Sequence, residues 1–372
     1  MVPPHPTRRT CAAALAAACL APVGALASTR RRPDRAAVDP AYAHHPELEG
    51  LAARAEQRLG LDPAWVRAQV SQARRSEAVR RLIMPPPAGT ARNWTAYRER
   101  FVEGRRIAAG VAFWREHARW LARAEAGHGV PAEIVVAIVG IETFYGRMMG
   151  DFRAIDALAT LSLDFPPGRR DRSAFFRDEL LALLVWCRRE ALDPQEPRGS
   201  FAGAIGLPQF MPSSILRFGV DFDADGRIAL RSNPADAIGS VAHYLAQFGW
   251  QRGMPTHFEV TAPAEPQDRA VLLAPDIVPT FSPAQMVERG ARLAPAAAAH
   301  DGPLALVELE DGGRPPVHYA GTGNFYAVTR YNWSSYYAMA VILLAEALRA
   351  AARGQAHYPH VMQGQPGRAT PR

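Results

Sequence analysis

Ile134-Val135-Val136-Ala137-Ile138-Val139-Gly140-Ile141-Glu142-Thr143-Phe144-Tyr145-Gly146-Arg147 is the stretch on which the reading of this chain turns. From Ile134 to Val139 it is apolar on every side, and a helix apolar all round is a buried helix. Glu142 stands at the end of that helix. A carboxyl withdrawn from water there has its charged form disfavoured and its pKa raised. A carboxylic acid that keeps its proton near neutral pH is equipped to act as a general acid. The plainer alternative is a helix-end Glu paired with a cation, for which Arg147 is the neighbour in sequence.

A chain of 372 residues can bury a large core and hold more than one domain. Its 48% hydrophobic and 21% charged residues place it among globular proteins. All 43 basic residues are Arg, and the chain is also rich in Ala and Pro, so the +7 charge reflects coding bias more than chemistry. No helix pattern carries a dense basic stripe interleaved with aromatics, which argues against nucleic acid as a partner.

Residues 1–27 have the layout of an export signal, with Arg8 and Arg9 ahead of the apolar run Cys11 to Val23 and Ala25-Leu26-Ala27 as the cleavage site. Thr7-Arg8-Arg9 is also compatible with a twin-arginine start. Ala16-Ala17-Ala18-Cys19 lacks the Leu of a lipoprotein box, so a soluble rather than lipid-anchored product is expected. Cleavage leaves Cys187 alone, unable to form an internal disulfide and placed in the apolar run Leu180 to Trp186 as a packed core thiol.

Residues 28–46 read as a flexible linker and 354–372 as a frayed polar tail. Amphipathic spacing predicts helices over Leu48 to Leu59, Asp62 to Leu82 and Val102 to His128, with Pro131 in the first turn of the helix that ends near Glu142. Further helices are expected over Ile155 to Leu161, Ser173 to Ala191, Ser213 to Phe218, Pro234 to Phe248 and Ser335 to Ala351. The region 254–329 is Pro-rich with short alternating runs at His257 to Thr261, Leu304 to Leu309, Val317 to Tyr319 and Phe325 to Thr329. It reads as a small β-containing insert with a helix from Ser282 to Arg292. The helical body is therefore 47–253, resumed at 330–353, and the fold class is mainly α (α+β).

Four other segments carry unusual polar or aromatic content. Ser200 to Ser214 combines small residues, which let backbone approach a ligand, with the hydrogen-bonding Ser200 and Gln209 and with Phe210. Its plainer reading is an inter-helix loop with Ser213 or Ser214 as a cap after Pro212. Thr329 to Tyr337 sets amide and aromatic groups together at Tyr331, Asn332 and Tyr337, as carbohydrate sites do, or else packs a core. Tyr97 lies on a helix, and Arg169-Arg170-Asp171-Arg172 forms a basic turn that could meet a carboxylate.

Together these segments resemble the lytic murein transglycosylase B family over roughly residues 45–352. The resemblance is carried by Gly140 to Gly150, Asp156 to Leu161, Gly203 to Ser214, Asp236 to Val241 and Asn324 to Ala340. It implies a lysozyme-like helical catalytic core in a bacterial periplasmic enzyme. Such an enzyme cleaves the MurNAc–GlcNAc β-1,4 bond of peptidoglycan and leaves a 1,6-anhydro-MurNAc end. Glu142 matches the single catalytic Glu, and Tyr97, Ser200, Gln209, Phe210, Tyr331, Asn332 and Tyr337 match the glycan cleft. The family has an adjacent Arg pair that faces the stem peptide; a count back from Phe175 puts Asp171 and Arg172 opposite it, while Arg169 and Arg170 supply the doublet by sequence. Peptidoglycan strands are the expected partner, with other cell-wall enzymes as candidates. A hydrolytic muramidase and a non-catalytic peptidoglycan-binding protein are the alternatives.

Asp221-Phe222-Asp223-Ala224-Asp225-Gly226-Arg227 matches the first half of an EF-hand loop, with Arg227 at the position that ligates through its carbonyl. The twelfth position is Ser232 rather than Glu, so Asp236 is expected to close the site. The family resemblance implies such a variant loop and a structural Ca²⁺, with no cofactor for catalysis. Alternatively Asn233 caps the next helix, with Pro234 and Asp236 in its first turn.

Overall fold

The computed structural model describes residues 42–85 and 92–354. The expected export signal, the linker up to residue 41 and the tail from residue 355 lie outside the described residues. A 3-10 turn at Tyr42–His44 leads into α1 (Leu48–Leu59), α2 (Pro63–Val70), α3 (Glu77–Leu82), α4 (Trp94–Phe101), α5 (Gly104–Glu116), α6 (Ala118–His128) and α7 (Ala132–Thr143). Then come β1 (Phe152–Arg153), α8 (Ala154–Leu163), α9 (Ser173–Arg189), β2 (Arg198–Gly199), α10 (Pro212–Phe218) and α11 (Pro234–Gln247). The insert holds β3 (His257–Thr261), α12 (Pro266–Leu273), α13 (Pro283–Glu288), β4 (Arg292–Leu293), α14 (Pro295–Ala298), β5 (Ala305–Asp311) and β6 (Arg314–Gly321). The chain closes with α15 (Gly323–Asn332) and α16 (Ser335–Ala352).

The all-apolar segment is the centre of the molecule. Every residue of α7 from Ile134 to Ile141 is buried, so the helix has no solvent face before Glu142. α16, α5, α6 and α11 pack around it. By length and apolarity α16 could cross a membrane, but half of it is buried inside the body against α7 and α15.

Several predicted boundaries move. The long pattern over residues 62–82 is two helices, because the Ser76 side chain caps Val79 and starts α3 afresh. The pattern over residues 102–128 breaks at His117, and Pro131 stands just before α7 rather than in its first turn. Residues 42–46 belong to the folded body rather than the linker, since Tyr42 is buried with its hydroxyl 3.5 Å from Thr160 Oγ1. The insert ends near Gly321, not at residue 329. Phe325 to Thr329 alternates like a strand in sequence, yet the Thr322 side chain caps Asn324 and Phe325 is buried in the main core, making the segment helical. The expected helix Ser282 to Arg292 is only Pro283–Glu288, closed by a capping box between Ser282 and Gln285.

The insert is a four-stranded antiparallel sheet in the order β4-β3-β6-β5. Alternate residues along a strand face opposite sides. Leu304 and Leu306 enter a small second core with Leu272, Met286 and Ala320. Ala305, Val307 and Leu309 join the main helical core. One face of the sheet is thus welded to the helical body. Cys187 is a free buried thiol, as the sequence predicts, and burial pushes its pKa up to about 12, so it is not a reactive group.

Candidate active site

Glu142 is half-buried at the C-terminal end of α7. The Tyr337 hydroxyl, on the first turn of α16, donates to Glu142 Oε1 at 2.6 Å. Burial raises the carboxyl pKa to about 7, and the Tyr337 hydrogen bond opposes that rise by favouring the ionised form. Among the described residues Glu142 has no ion-pair partner. Arg147, the alternative partner, lies over the Phe144 ring at 5.2 Å.

The backbone around Glu142 is strained. Phe144 and Tyr145 both adopt positive φ, at 49° and 58°. This turn is paid for by packing: a Cβ on Gly110 or Gly140 would lie 2.3 Å or 2.5 Å from the Tyr145 hydroxyl, so only glycine there leaves room for that ring. Thr143 Oγ1 lies 3.1 Å from the Leu207 carbonyl and accepts the Gly146 N–H at 3.1 Å, tying the helix end to the loop that carries Gln209.

That loop and the start of α16 converge on Glu142. Tyr331 stacks on Tyr337 with centroids 6.1 Å apart and planes 11° apart, and its hydroxyl donates to the Pro208 carbonyl at 2.6 Å. Burial, then the Glu142 charge, then Tyr244, raise the Tyr331 pKa well above the ordinary phenol value, so it stays a neutral donor. Phe210 is buried and packs on Tyr244 and Tyr331 at 5.5 Å and 5.9 Å, which makes it a support for Tyr331. Gln209 holds φ 49°, and its Nε2 donates to the Gly206 carbonyl at 2.9 Å and the Met149 carbonyl at 3.3 Å. Ser200 Oγ accepts the Ala204 and Ala202 N–H groups at 3.1 Å and 3.3 Å, and among the described residues its own hydroxyl proton has no acceptor. Asn332 ends α15, and its Oδ1 is buried with no partner among the described residues, an acceptor awaiting a donor.

Two further sequence-selected residues lie on other elements. Tyr97 belongs to an aromatic cluster with Trp94, Phe101 and Tyr336. The Arg172 guanidinium lies over the Phe175 ring at 4.4 Å, and its charge opposes in small part the rise that burial imposes on the Glu179 pKa, so it is engaged within its own helix end. Ser213 is no cap: its hydroxyl donates to Glu179 Oε1 at 2.7 Å, and Glu179 Oε2 takes its N–H. Sequence reasoning missed Tyr244, whose ring packs on Tyr331 and whose hydroxyl donates to the Arg330 carbonyl at 2.6 Å. A Tyr inside an amphipathic helix carries no signal that would single it out.

The acidic loop is partly as expected. Asp221, Asp223 and Asp236 each bring a carboxylate oxygen within 4.8 Å of the others. Asp223 Oδ1 is buried without a partner among the described residues. Burial, with the charges of Asp223 and Asp221 adding, raises the Asp236 pKa despite N–H bonds from Ala229 and Phe222. Crowded carboxylates with an orphaned oxygen fit a hard cation. Asp225 is outside the cluster, its Oδ1 taking the Arg227 N–H at 2.9 Å. The capping reading also holds: the Asn233 side chain caps α11, with Pro234 at its start.

A family model described as the transglycosylase SLT domain matches residues 43–346. The chain is 38% identical over 315 residues to the membrane-bound lytic murein transglycosylase B of Escherichia coli strain K12, covering 82% of this chain and 84% of that one. Its fold is similar to that of the soluble lytic transglycosylase SltB1 of Pseudomonas aeruginosa, with TM-score 0.74 and 39% identity over 83% of this chain and 100% of that one. It is also similar to the Escherichia coli lytic transglycosylase Slt35 in complex with calcium, with TM-score 0.72 and 36% identity over 85% and 96% of the two chains.

The Tyr337 bond holds the Glu142 pKa down, so Tyr337→Phe should move the alkaline limb of activity to higher pH; a pH–rate profile with an unmoved limb refutes that coupling. Burial also has a stability consequence. The folded protein holds a proton that the unfolded chain releases, so stability is lost as pH rises from 4.5 to about 7. Glu142→Gln should therefore unfold at a higher temperature than the parent above pH 7, by about 3 kcal/mol at most, and match it near pH 4. Thermal denaturation at the two pH values checks this.

Proposed function

The chain belongs to the transglycosylase SLT domain family, and we propose that it cleaves the MurNAc–GlcNAc β-1,4 bond of peptidoglycan without water. The observation that carries this reading is a lone carboxyl poised near pH 7 by burial and by Tyr337. Ordinary glycosidases use a pair of carboxylates. Among the described residues no other carboxylate contributes to the Glu142 shift. The substrate must then supply the second group.

In the first step Glu142 donates its proton to the departing GlcNAc oxygen while the MurNAc 2-acetamido oxygen attacks the anomeric carbon. The glycosidic C–O bond breaks as an oxazolinium ring forms. The ionised Glu142 then takes the proton from the MurNAc C6 hydroxyl, whose oxygen attacks the anomeric carbon and opens the oxazolinium. The acid is regenerated and the 1,6-anhydro ring is closed. Tyr337 favours the carboxylate between the steps. The unpaired Asn332 Oδ1 and the free Ser200 hydroxyl proton suit the acetamido N–H and carbonyl. Gln209 and Tyr331 line the cleft with Phe210 behind them. Tyr97 extends the cleft wall, and Arg172 is assigned to stem-peptide carboxylates. Cell-wall action requires an extracytoplasmic location, and residues 1–27 suit export to the periplasm.

The acidic loop is assigned a structural Ca²⁺ held by Asp221, Asp223 and Asp236, with the Arg227 carbonyl as a further ligand. The ion would neutralise the crowded carboxylates and fix the loop to α11, away from the reaction.

Mass spectrometry of soluble products from purified peptidoglycan should find ends in 1,6-anhydro-MurNAc, and none with Glu142→Gln. Reducing ends heavier by one water would make the protein a muramidase, and sedimentation without release would make it a binding protein. Calcium should raise the melting temperature and chelator reverse it, by roughly 2.7 kcal/mol at about a hundred times Kd. Asp223→Asn should abolish that response; a melting curve indifferent to calcium in the parent overturns the assignment.

A further inference from the structure

We propose that the β-insert positions the catalytic pair through Asp311, a carboxylate at the β5–β6 turn that caps α4 from outside the helix. The inference rests on the transglycosylase reading of the Glu142 site. Asp311 is buried at the end of β5. Its Oδ1 accepts the Thr95 N–H at 2.7 Å, and its Oδ2 accepts the Thr95 hydroxyl at 3.0 Å. Burial alone would raise the Asp311 pKa, but these bonds and the Arg314 guanidinium hold it below the usual carboxylate range. The Asn93 side chain caps Ala96 from within the chain, so the first turn of α4 is capped twice. A negative group at a helix N-terminus is also favoured by the helix dipole.

The turn is built for this contact. The Gly312 N–H donates to the Arg92 carbonyl at 2.9 Å, and Asn93 and Asp311 form a backbone bridge. Gly312 has φ +63°, and a Cβ there would lie 2.6 Å from Asn93 Nδ2. A side chain there would be strained at that φ and would crowd the Asn93 amide that caps α4.

What α4 carries connects this cap to the chemistry. Tyr97 and Trp94 pack edge-on against Tyr336 at 5.8 Å and 6.0 Å. The Tyr336 hydroxyl donates to the Glu310 carbonyl at 3.1 Å, so the hairpin grips Tyr336 as well as α4. The next residue is Tyr337, which holds Glu142. At the other end of α4, the Arg106 guanidinium lies over Phe101 at 5.3 Å, and its Nε donates to the Gly140 carbonyl at 3.1 Å, two residues before Glu142. The helix that Asp311 fixes therefore abuts the neighbours of both partners of the Tyr337–Glu142 bond. Asp311 is a positioning residue, and the insert acts as a brace.

The test uses the whole protein with Asp311→Ala, Asp311→Asn and Thr95→Val. Hydrogen exchange over residues 95–101 and turnover of purified peptidoglycan are measured for each. Asp311→Ala should lose exchange protection in α4 and lower kcat roughly tenfold with KM little changed, as misplacement of a catalytic group does. Asp311→Asn keeps an acceptor for the Thr95 N–H and should restore most of both. Unchanged α4 protection in Asp311→Ala overturns the cap. Lost protection with unchanged kcat overturns the positioning role. If Asp311→Ala fails to fold by circular dichroism, Thr95→Val decides: it removes the hydroxyl bond alone and should show a smaller loss in both readouts, and no loss overturns the proposal. A parent protein that releases no anhydro product refutes the transglycosylase reading instead, and the exchange data still judge the cap.

Discussion

The rest of the structure depends on a carboxyl held at the end of a helix that has no solvent face. α7 is buried from Ile134 to Ile141, and that burial raises the Glu142 pKa toward neutrality. Water left around the carboxyl would return the group to an ordinary glutamate, ionised at pH 7 and useless as an acid. The apolar core thus serves more than stability, since it sets the protonation state of the carboxyl to which the proposed chemistry is assigned. The same desolvation makes the site costly to the fold, because each favourable shift for catalysis is an unfavourable one for the folded state above the unfolded pKa.

Local strain gathers where this burial must open to a substrate. Phe144 and Tyr145 hold positive φ just after Glu142, Gln209 does so in the loop tied to Thr143, and Trp333 does so at the break between α15 and α16. Non-glycine residues enter that region at a cost, and they persist where surrounding packing leaves no alternative. Tyr145 is locked in its slot beside Gly110 and Gly140, Gln209 is tied to two carbonyls, and Trp333 has the Arg330 guanidinium 3.8 Å above its ring. These contacts turn the chain sharply enough to leave Glu142 half-buried rather than sealed.

Much of this was legible in the sequence, for identifiable reasons. The run Ile134 to Val139 has no polar residue to give it a surface, so burial of α7 and the shift on Glu142 followed from composition alone. The pairing of Asp221, Asp223 and Asp236 followed from alternate spacing plus one later acid. Phe210 is an instructive contrast. It follows Gln209 in a segment the sequence marks as a candidate cleft, yet its ring turns into the core against Tyr244, which depends on a helix farther along the chain. Phe325 to Thr329 shows the same limit, because a period of two in five residues is too short to outweigh the Thr322 cap and a buried Phe325. Asp311 was invisible for a different reason. Its partner, Thr95, is 216 residues away, and nothing in a Glu-Asp-Gly-Gly turn distinguishes a brace from a solvated hairpin.

A single carboxyl that must act first as acid and then as base meets two opposed demands. Burial alone would favour the first step, because a strongly raised pKa keeps the proton in place. The same shift would make proton release so unfavourable that the carboxylate could not persist through the departure of the leaving group. Tyr337 balances this, because its hydroxyl donates at 2.6 Å to the ionised form. A pKa of about 7 is where both forms are accessible at neutral pH. On this argument the hydrogen bond matters for where it sets the equilibrium more than for its strength. A fold that supplies one carboxylate must therefore hold the Tyr337 hydroxyl in place as carefully as the acid itself, which is what the packing of Tyr331, Tyr336 and α4 around it does.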